Sequence, residues 1–172
     1  SEMCIRDSFY THGYTLDFGC YSCDNKSALT LSKHIEKRSI LSAPLRKIIV
    51  TSHFGRRTDP FTKKSRWHNG VDLKAVAGEP TYAMFAGVVA EVGFDNSRGR
   101  YVIVRSGRYA FEYYHLSRCL VSEGSLVLAG DSIGNAGSTG RSTGPHLHIT
   151  LKCDGVSINP AILIDRIRRH RY

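Results

Sequence analysis

The chain has no apolar run long enough to span a membrane as a helix, no internal repeat and no low-complexity stretch. The absence of repeats and of low-complexity sequence sets aside a solenoid and a compositionally disordered chain. Its five cysteines include a single Cys-x-x-C, Cys20-Tyr21-Ser22-Cys23, with no second pair, so a zinc ribbon or a thioredoxin-like redox site has no basis. Without Cys4, which lies in the first eight residues, Cys20, Cys23, Cys119 and Cys153 fit equally well thiols paired in an oxidising compartment and free buried cysteines. The net charge of +9 comes without a helix-turn-helix, an aromatic RNA-binding signature or a paired-cysteine finger, so nucleic acid is not the expected partner. Basic clusters at Arg56-Arg57, Lys63-Lys64 and Arg166 to Arg171 suit another polyanionic partner, an anionic membrane or polymer, or plain solvated surface. With 172 residues, 41% of them hydrophobic, one sizeable core and one main domain are expected.

What is present concentrates in two segments, His68-Asn69-Gly70-Val71-Asp72 and His146-Leu147-His148. Residues two apart on a β-strand point to one face, so His146 and His148 can share a single metal site. The alternating run Tyr109 to His115 puts His115 on the face of Tyr113, Phe111 and Tyr109. Zinc accepts His nitrogen and Asp oxygen, and a catalytic zinc keeps three protein ligands plus a water. With His68, Asp72 and one of the paired histidines as ligands, two histidines remain for proton transfer, which is the inventory of a hydrolase. His12, His34, His53 and His170 read as surface or hydrogen-bonded residues. The run from Gly137 to Pro145 leads directly into His146 and has several glycines that can bring the backbone close to something in front of the strand. It lacks the Gly-Lys-Ser/Thr ending of a phosphate-binding loop and enters a strand instead of a helix.

These segments belong to a longer ordered series: Ser52-His53-Phe54-Gly55-Arg56-Arg57, His68 to Leu73, Gly78 to Ala83, Gly87-Val88-Val89, Tyr114-His115-Leu116-Ser117, Gly134 to Gly140, Gly144 to His148 and Asn159-Pro160. Over about Ser52 to Pro160 the chain closely resembles the lysostaphin/LytM-type zinc metallopeptidases, peptidase family M23, which cut peptidoglycan peptides. The resemblance implies one Zn2+ per chain bound by His68, Asp72 and His148, with His115 and His146 as the catalytic histidines. It further implies peptidoglycan peptide as substrate and a place in the bacterial cell envelope, periplasmic or secreted. Asn69, Tyr113 and Ser142 are candidate substrate contacts. The chain departs at Asp59-Pro60, where relatives often carry His-Pro, a position that bears only on local substrate contacts. A non-catalytic, wall-binding or hydrolase-regulating module of the same fold is the alternative. All five metal and catalytic positions are retained, which favours the enzyme.

The expected fold class is all-β, an antiparallel β-sheet or sandwich of the lysostaphin-like (duplicated hybrid motif) type with a short C-terminal helix. Strands are expected at 48–50, 81–85, 88–92, 101–105, 109–115, 125–127 and 146–152, with the clearest hairpin turning at Ser106-Gly107. The tail 161–172 carries Ile162, Leu163 and Ile167 near helical spacing with arginines between, as in a short amphipathic helix. The metallopeptidase domain is expected over 47–160, preceded by a leader over 9–46 with a hairpin near Tyr21 to Lys26. Residues 1–8 read like a translated mosaic-end adapter from a transposase-based sequencing library and are expected to be an assembly artefact.

Overall fold

Short runs rich in Val, Ile and Tyr, cut by Gly and Asn turns, give the chain its strands, and every strand pairing among them is antiparallel. The computed structural model describes residues 40–169, together with the backbone of residues 9–11 and 14–16. The chain divides into two units, Ser1–Ser39 and Ile40–Tyr172. In the first, β1 (Phe9–Thr11) pairs with β2 (Tyr14–Leu16). The adapter-like residues 1–8 and the expected hairpin at Tyr21 to Lys26 lie outside the described residues.

The second unit holds β3 (Val50–Ser52), β4 (Gly55–Thr58), β5 (Ser65–His68), β6 (Val71–Lys74), β7 (Pro80–Tyr82), β8 (Gly87–Asp95) and β9 (Gly99–Ser106). It continues with β10 (Tyr109–Cys119), β11 (Leu126–Val127), β12 (Ser132–Ala136), β13 (His146–Cys153), β14 (Val156–Ile158) and helix α1 (Ala161–Arg169). The main sheet runs in the order β11-β8-β9-β10-β13-β6-β3, with β12 joining β10 to β7 and β14 beside β13. The hairpin β4–β5 stands apart as its own two-stranded sheet. The turn after Ser106 falls where expected, with Ser106 opposite Tyr109.

Alternation decides which face each strand buries. Leu147, Ile149 and Leu151 of β13, Val71 and Leu73 of β6, and Phe111 and Tyr113 of β10 line one core, while His146 and His148 take the other face of β13. Each fully buried Leu or Ile here contributes roughly 1.5–3 kcal/mol through burial. Residues 40–46, expected as leader, join this core: Leu45 is fully buried, Ala43 nearly so, and Pro44 accepts a hydrogen bond from the Tyr82 amide. The compact unit of the structure accordingly includes these residues, from Ile40 onward.

Helix α1 begins where Asn159 caps it, Oδ1 accepting the Ala161 amide at 3.0 Å, with Pro160 in the first helical turn. Ile164 and Ile167 bury its apolar side, and Arg166, Arg168 and Arg169 in the last turn complement the helix dipole. Among the described residues no helix is long and apolar enough to cross a membrane.

Candidate metal centre

The centre is built on a regular pairing. Strands β6 and β13 place Asp72 directly opposite His148, and Asp72 Oδ1 lies 2.8 Å from His148 Nδ1. His68, at the end of β5, is brought to the same point by the two-residue link Asn69-Gly70. That link must be tight: a Cβ on Gly70 would sit 2.3 Å from the Ile149 carbonyl oxygen and 2.7 Å from His148 Nε2. His68 Nε2 then lies 3.1 Å from His148 Nδ1 and 3.2 Å from Asp72 Oδ1.

Each ligand is oriented from behind. His68 Nδ1 is 2.8 Å from the His53 carbonyl oxygen, which can only accept, so the proton sits on Nδ1 and Nε2 offers a lone pair. His148 Nε2 is 3.0 Å from Thr150 Oγ1, leaving Nδ1 for the centre. The Arg57 guanidinium, 3.2 Å from Asp72 Oδ2, occupies the outer carboxylate oxygen. Burial alone would raise the Asp72 carboxyl, but the His148 and His68 imidazoles beside it outweigh this and hold the group well below the usual carboxylate range. Three electron-pair donors thus converge with edges of 2.8–3.2 Å. Donors around a tetrahedral zinc at 2.0–2.1 Å stand about 3.3 Å apart, so this triangle fits one small cation, and the N,N,O set suits zinc. His68, Asp72 and His148 can hold one metal ion.

His115 and His146 stand beside the triangle with ring centroids 4.6 Å apart, and His146 Nε2 is 3.8 Å from Asp72 Oδ1. Both rings are pinned through Nδ1 to loop carbonyls: His115 to Thr139 at 2.8 Å, His146 to Gly144 at 2.8 Å with Ser142 Oγ at 3.2 Å. In the neutral state each therefore presents Nε2 as a proton acceptor. Burial pushes the His115 imidazole down to about 4, against the upward pull of the Thr139 carbonyl.

Strict alternation would put His115 on the face of Tyr113, and the structure corrects this. His115 has φ of 63° within an irregularity where the β9–β10 register shifts between Tyr113 and Leu116. The bulge keeps Tyr113 in the core, fully buried with its hydroxyl accepting the Met84 amide at 2.8 Å, while Tyr114 and His115 both reach the centre. Tyr113 thus packs within the core. Asn69 is exposed beside His68, and Ser142 is bonded within the loop, to Ser138 and Gly144 as well as facing His146.

Several supporting groups carry no sequence motif. The Tyr114 ring stacks parallel on His148 at 5.2 Å, and its hydroxyl hydrogen-bonds the buried Glu112 carboxylate, which pairs with Lys152 Nζ at 2.8 Å. Thr150 was reachable by alternation, being two residues beyond His148 on the same face. The carbonyls of His53, Thr139 and Gly144 were not, because any residue type can supply them.

The model of peptidase family M23 matches residues 66–160, more than half of the chain. The peptidoglycan DD-endopeptidase ShyC of Vibrio cholerae is 40% identical over 126 residues, covering 72% of this chain and 29% of that protein. The chain therefore spans less than a third of the length of that relative. A zinc-containing peptidase from Vibrio cholerae matches with a TM-score of 0.66 at 34% identity, over 71% of this chain and 39% of the other. The catalytic domain of lysostaphin from Staphylococcus simulans gives a TM-score of 0.63 at 28% identity, over 69% of this chain and 92% of that domain. With the ligand triangle and both neighbouring histidines inside the matched span, the chain belongs to peptidase family M23.

Proposed function

We propose that the chain is a zinc-dependent endopeptidase that hydrolyses peptide crosslinks of bacterial peptidoglycan in the cell envelope, periplasmic or secreted. The observation that carries this reading is the donor triangle of His68, Asp72 and His148 with two imidazoles beside it, each committed at Nδ1 to a backbone carbonyl. Zinc held by His68, Asp72 and His148 would supply a water of pKa about 7 and would polarise a carbonyl. Proton handling falls to the two pinned histidines. One of His115 and His146 takes the proton of the attacking water at Nε2 and returns it to the leaving amine. The other donates a hydrogen bond to the oxygen that becomes negative as the carbonyl is attacked. Asn69, exposed beside His68, is a candidate substrate contact.

The D-alanyl–meso-diaminopimelate crosslink is the bond we favour, supported by the Phe54-Gly55-Arg56 lead-in, the Gly144 to His148 run and the likeness to a DD-endopeptidase. A non-catalytic module remains the second reading, and retention of both pinned histidines supports the enzyme over it. Digestion of defined crosslinked muropeptides, with product masses read out, tests the proposal. Cleavage at the D-alanyl–diaminopimelate bond, abolished by chelation and restored by zinc, is expected. No cleavage of any crosslinked muropeptide by zinc-loaded protein would contradict it.

A further inference from the structure

Asp59 is buried to 4% exposure at the base of the β4–β5 loop. An ionised carboxylate there is tolerable only if donors surround it, and they do. Oδ1 accepts the Phe61 and Thr62 amides, both at 2.9 Å, and Oδ2 faces Arg66 Nη1 at 3.2 Å. The remaining donor comes from 82 residues away: Arg141 Nη2 lies 2.9 Å from Oδ1 and 3.1 Å from Oδ2, with its guanidinium 4.6 Å over the Phe61 ring. Arg141 belongs to the Gly137–Pro145 loop. Two residues before it is Thr139, whose carbonyl holds His115 Nδ1, and three after it is Gly144, whose carbonyl holds His146 Nδ1. The loop is pressed close at the same place, since a Cβ on Gly140, at φ of 70°, would meet the Gly99 amide nitrogen at 2.2 Å.

We propose that Asp59 and Arg141 are positioning residues: their tie, from the β4–β5 loop to the Gly137–Pro145 loop, fixes the two carbonyls that set the tautomer and aim of His115 and His146. This rests on the proposed function for its kinetic consequence but not for its structural one. A single side chain anchored between both carbonyls couples the two rings, so releasing it disturbs both together. Neither residue touches the metal triangle. Zinc retention is therefore separable from proton transfer.

The test uses zinc-loaded full chain carrying Arg141→Ala, Arg141→Lys, Asp59→Asn or the Asp59→Asn/Arg141→Ala pair. Zinc content, thermal melting, kcat and KM on a crosslinked muropeptide, and ring-nitrogen NMR shifts of His115 and His146 are read on each. Zinc should stay at the wild-type level, and kcat should fall about 10- to 100-fold, the size expected when reacting groups are misplaced by about 1 Å. KM should change little. The ring-nitrogen shifts should move from a single Nδ1–H tautomer towards a mixture, and the double variant should be no worse than the single ones. Lys at 141 restores charge without the planar fork and should rescue only partly. Unchanged ring shifts and kcat in Arg141→Ala would overturn the proposal, as would losses that multiply in the double variant. If Asp59→Asn fails to fold, Arg141→Ala, on a half-buried loop residue, carries the decision. If wild-type protein does not cleave, the functional reading fails while the ring-nitrogen shifts still decide the tie.

Discussion

The proposed ligand side and the proposed proton-transfer side of the centre are built in opposite ways. Asp72 and His148 sit on neighbouring strands in unbroken register, with the sheet itself setting their separation. His115 sits in a bulge at φ of 63°, and His146 opens its strand under a glycine-rich loop, so both depend on loop carbonyls for their orientation. A non-glycine residue in that region costs about 1–3 kcal/mol and persists only when its surroundings over-determine it. For His115 the Arg98 carbonyl on its amide and the Thr139 carbonyl on its ring do so. Regular sheet suits groups that must hold an ion at fixed spacing. Loop support suits groups that must receive a proton and give it back.

Breaking the sheet side should have the largest effect. Asp72→Ala or His68→Ala removes one corner of the donor triangle, and zinc content, measured on purified protein, should fall along with all cleavage. Undiminished zinc in both would refute the assignment. On the loop side, His115→Ala should leave zinc and fold in place while turnover drops by about 100-fold or more. Smaller again is the effect of the group behind a ligand: Thr150→Val removes the partner of His148 Nε2 and should weaken zinc roughly 10-fold in competition with a chelator. The smallest effect is on acid stability of the metal-free protein. The unfolded chain protonates His115 near 6.5 and the folded chain only near 4, so protons favour unfolding between those values. The stability held above pH 6.5 should decline as pH falls towards 4, and melting curves of His115→Gln should show a shallower decline over that window.

The ligand side was the more legible in the sequence, for a physical reason. Period-2 alternation placed His146 and His148 on one face of their strand, opposite the face that Leu147 and Ile149 bury in the core. The same alternation failed at Tyr113 because a bulge inserts a residue, and a bulge at a non-glycine residue leaves no residue-type signature. The expected strand at 81–85 ends at Tyr82, since Ala83 and Met84 turn to bond Asp131, Gly130 and Ser42 outside the sheet ladders. The contribution of Ala43 and Leu45 to the core was not legible, because two apolar residues are too few to form a pattern. The tie between Asp59 and Arg141 joins distant loops, and only the fold brings them together.

The central claim, that neighbouring histidines on one strand divide ligation from proton transfer, is tested most directly by zinc content and muropeptide cleavage measured on His146→Ala and His148→Ala side by side. His146→Ala should keep one zinc per chain and its fold while losing cleavage, and His148→Ala should lose both. Zinc retained in His148→Ala, or wild-type cleavage by His146→Ala, would contradict the account.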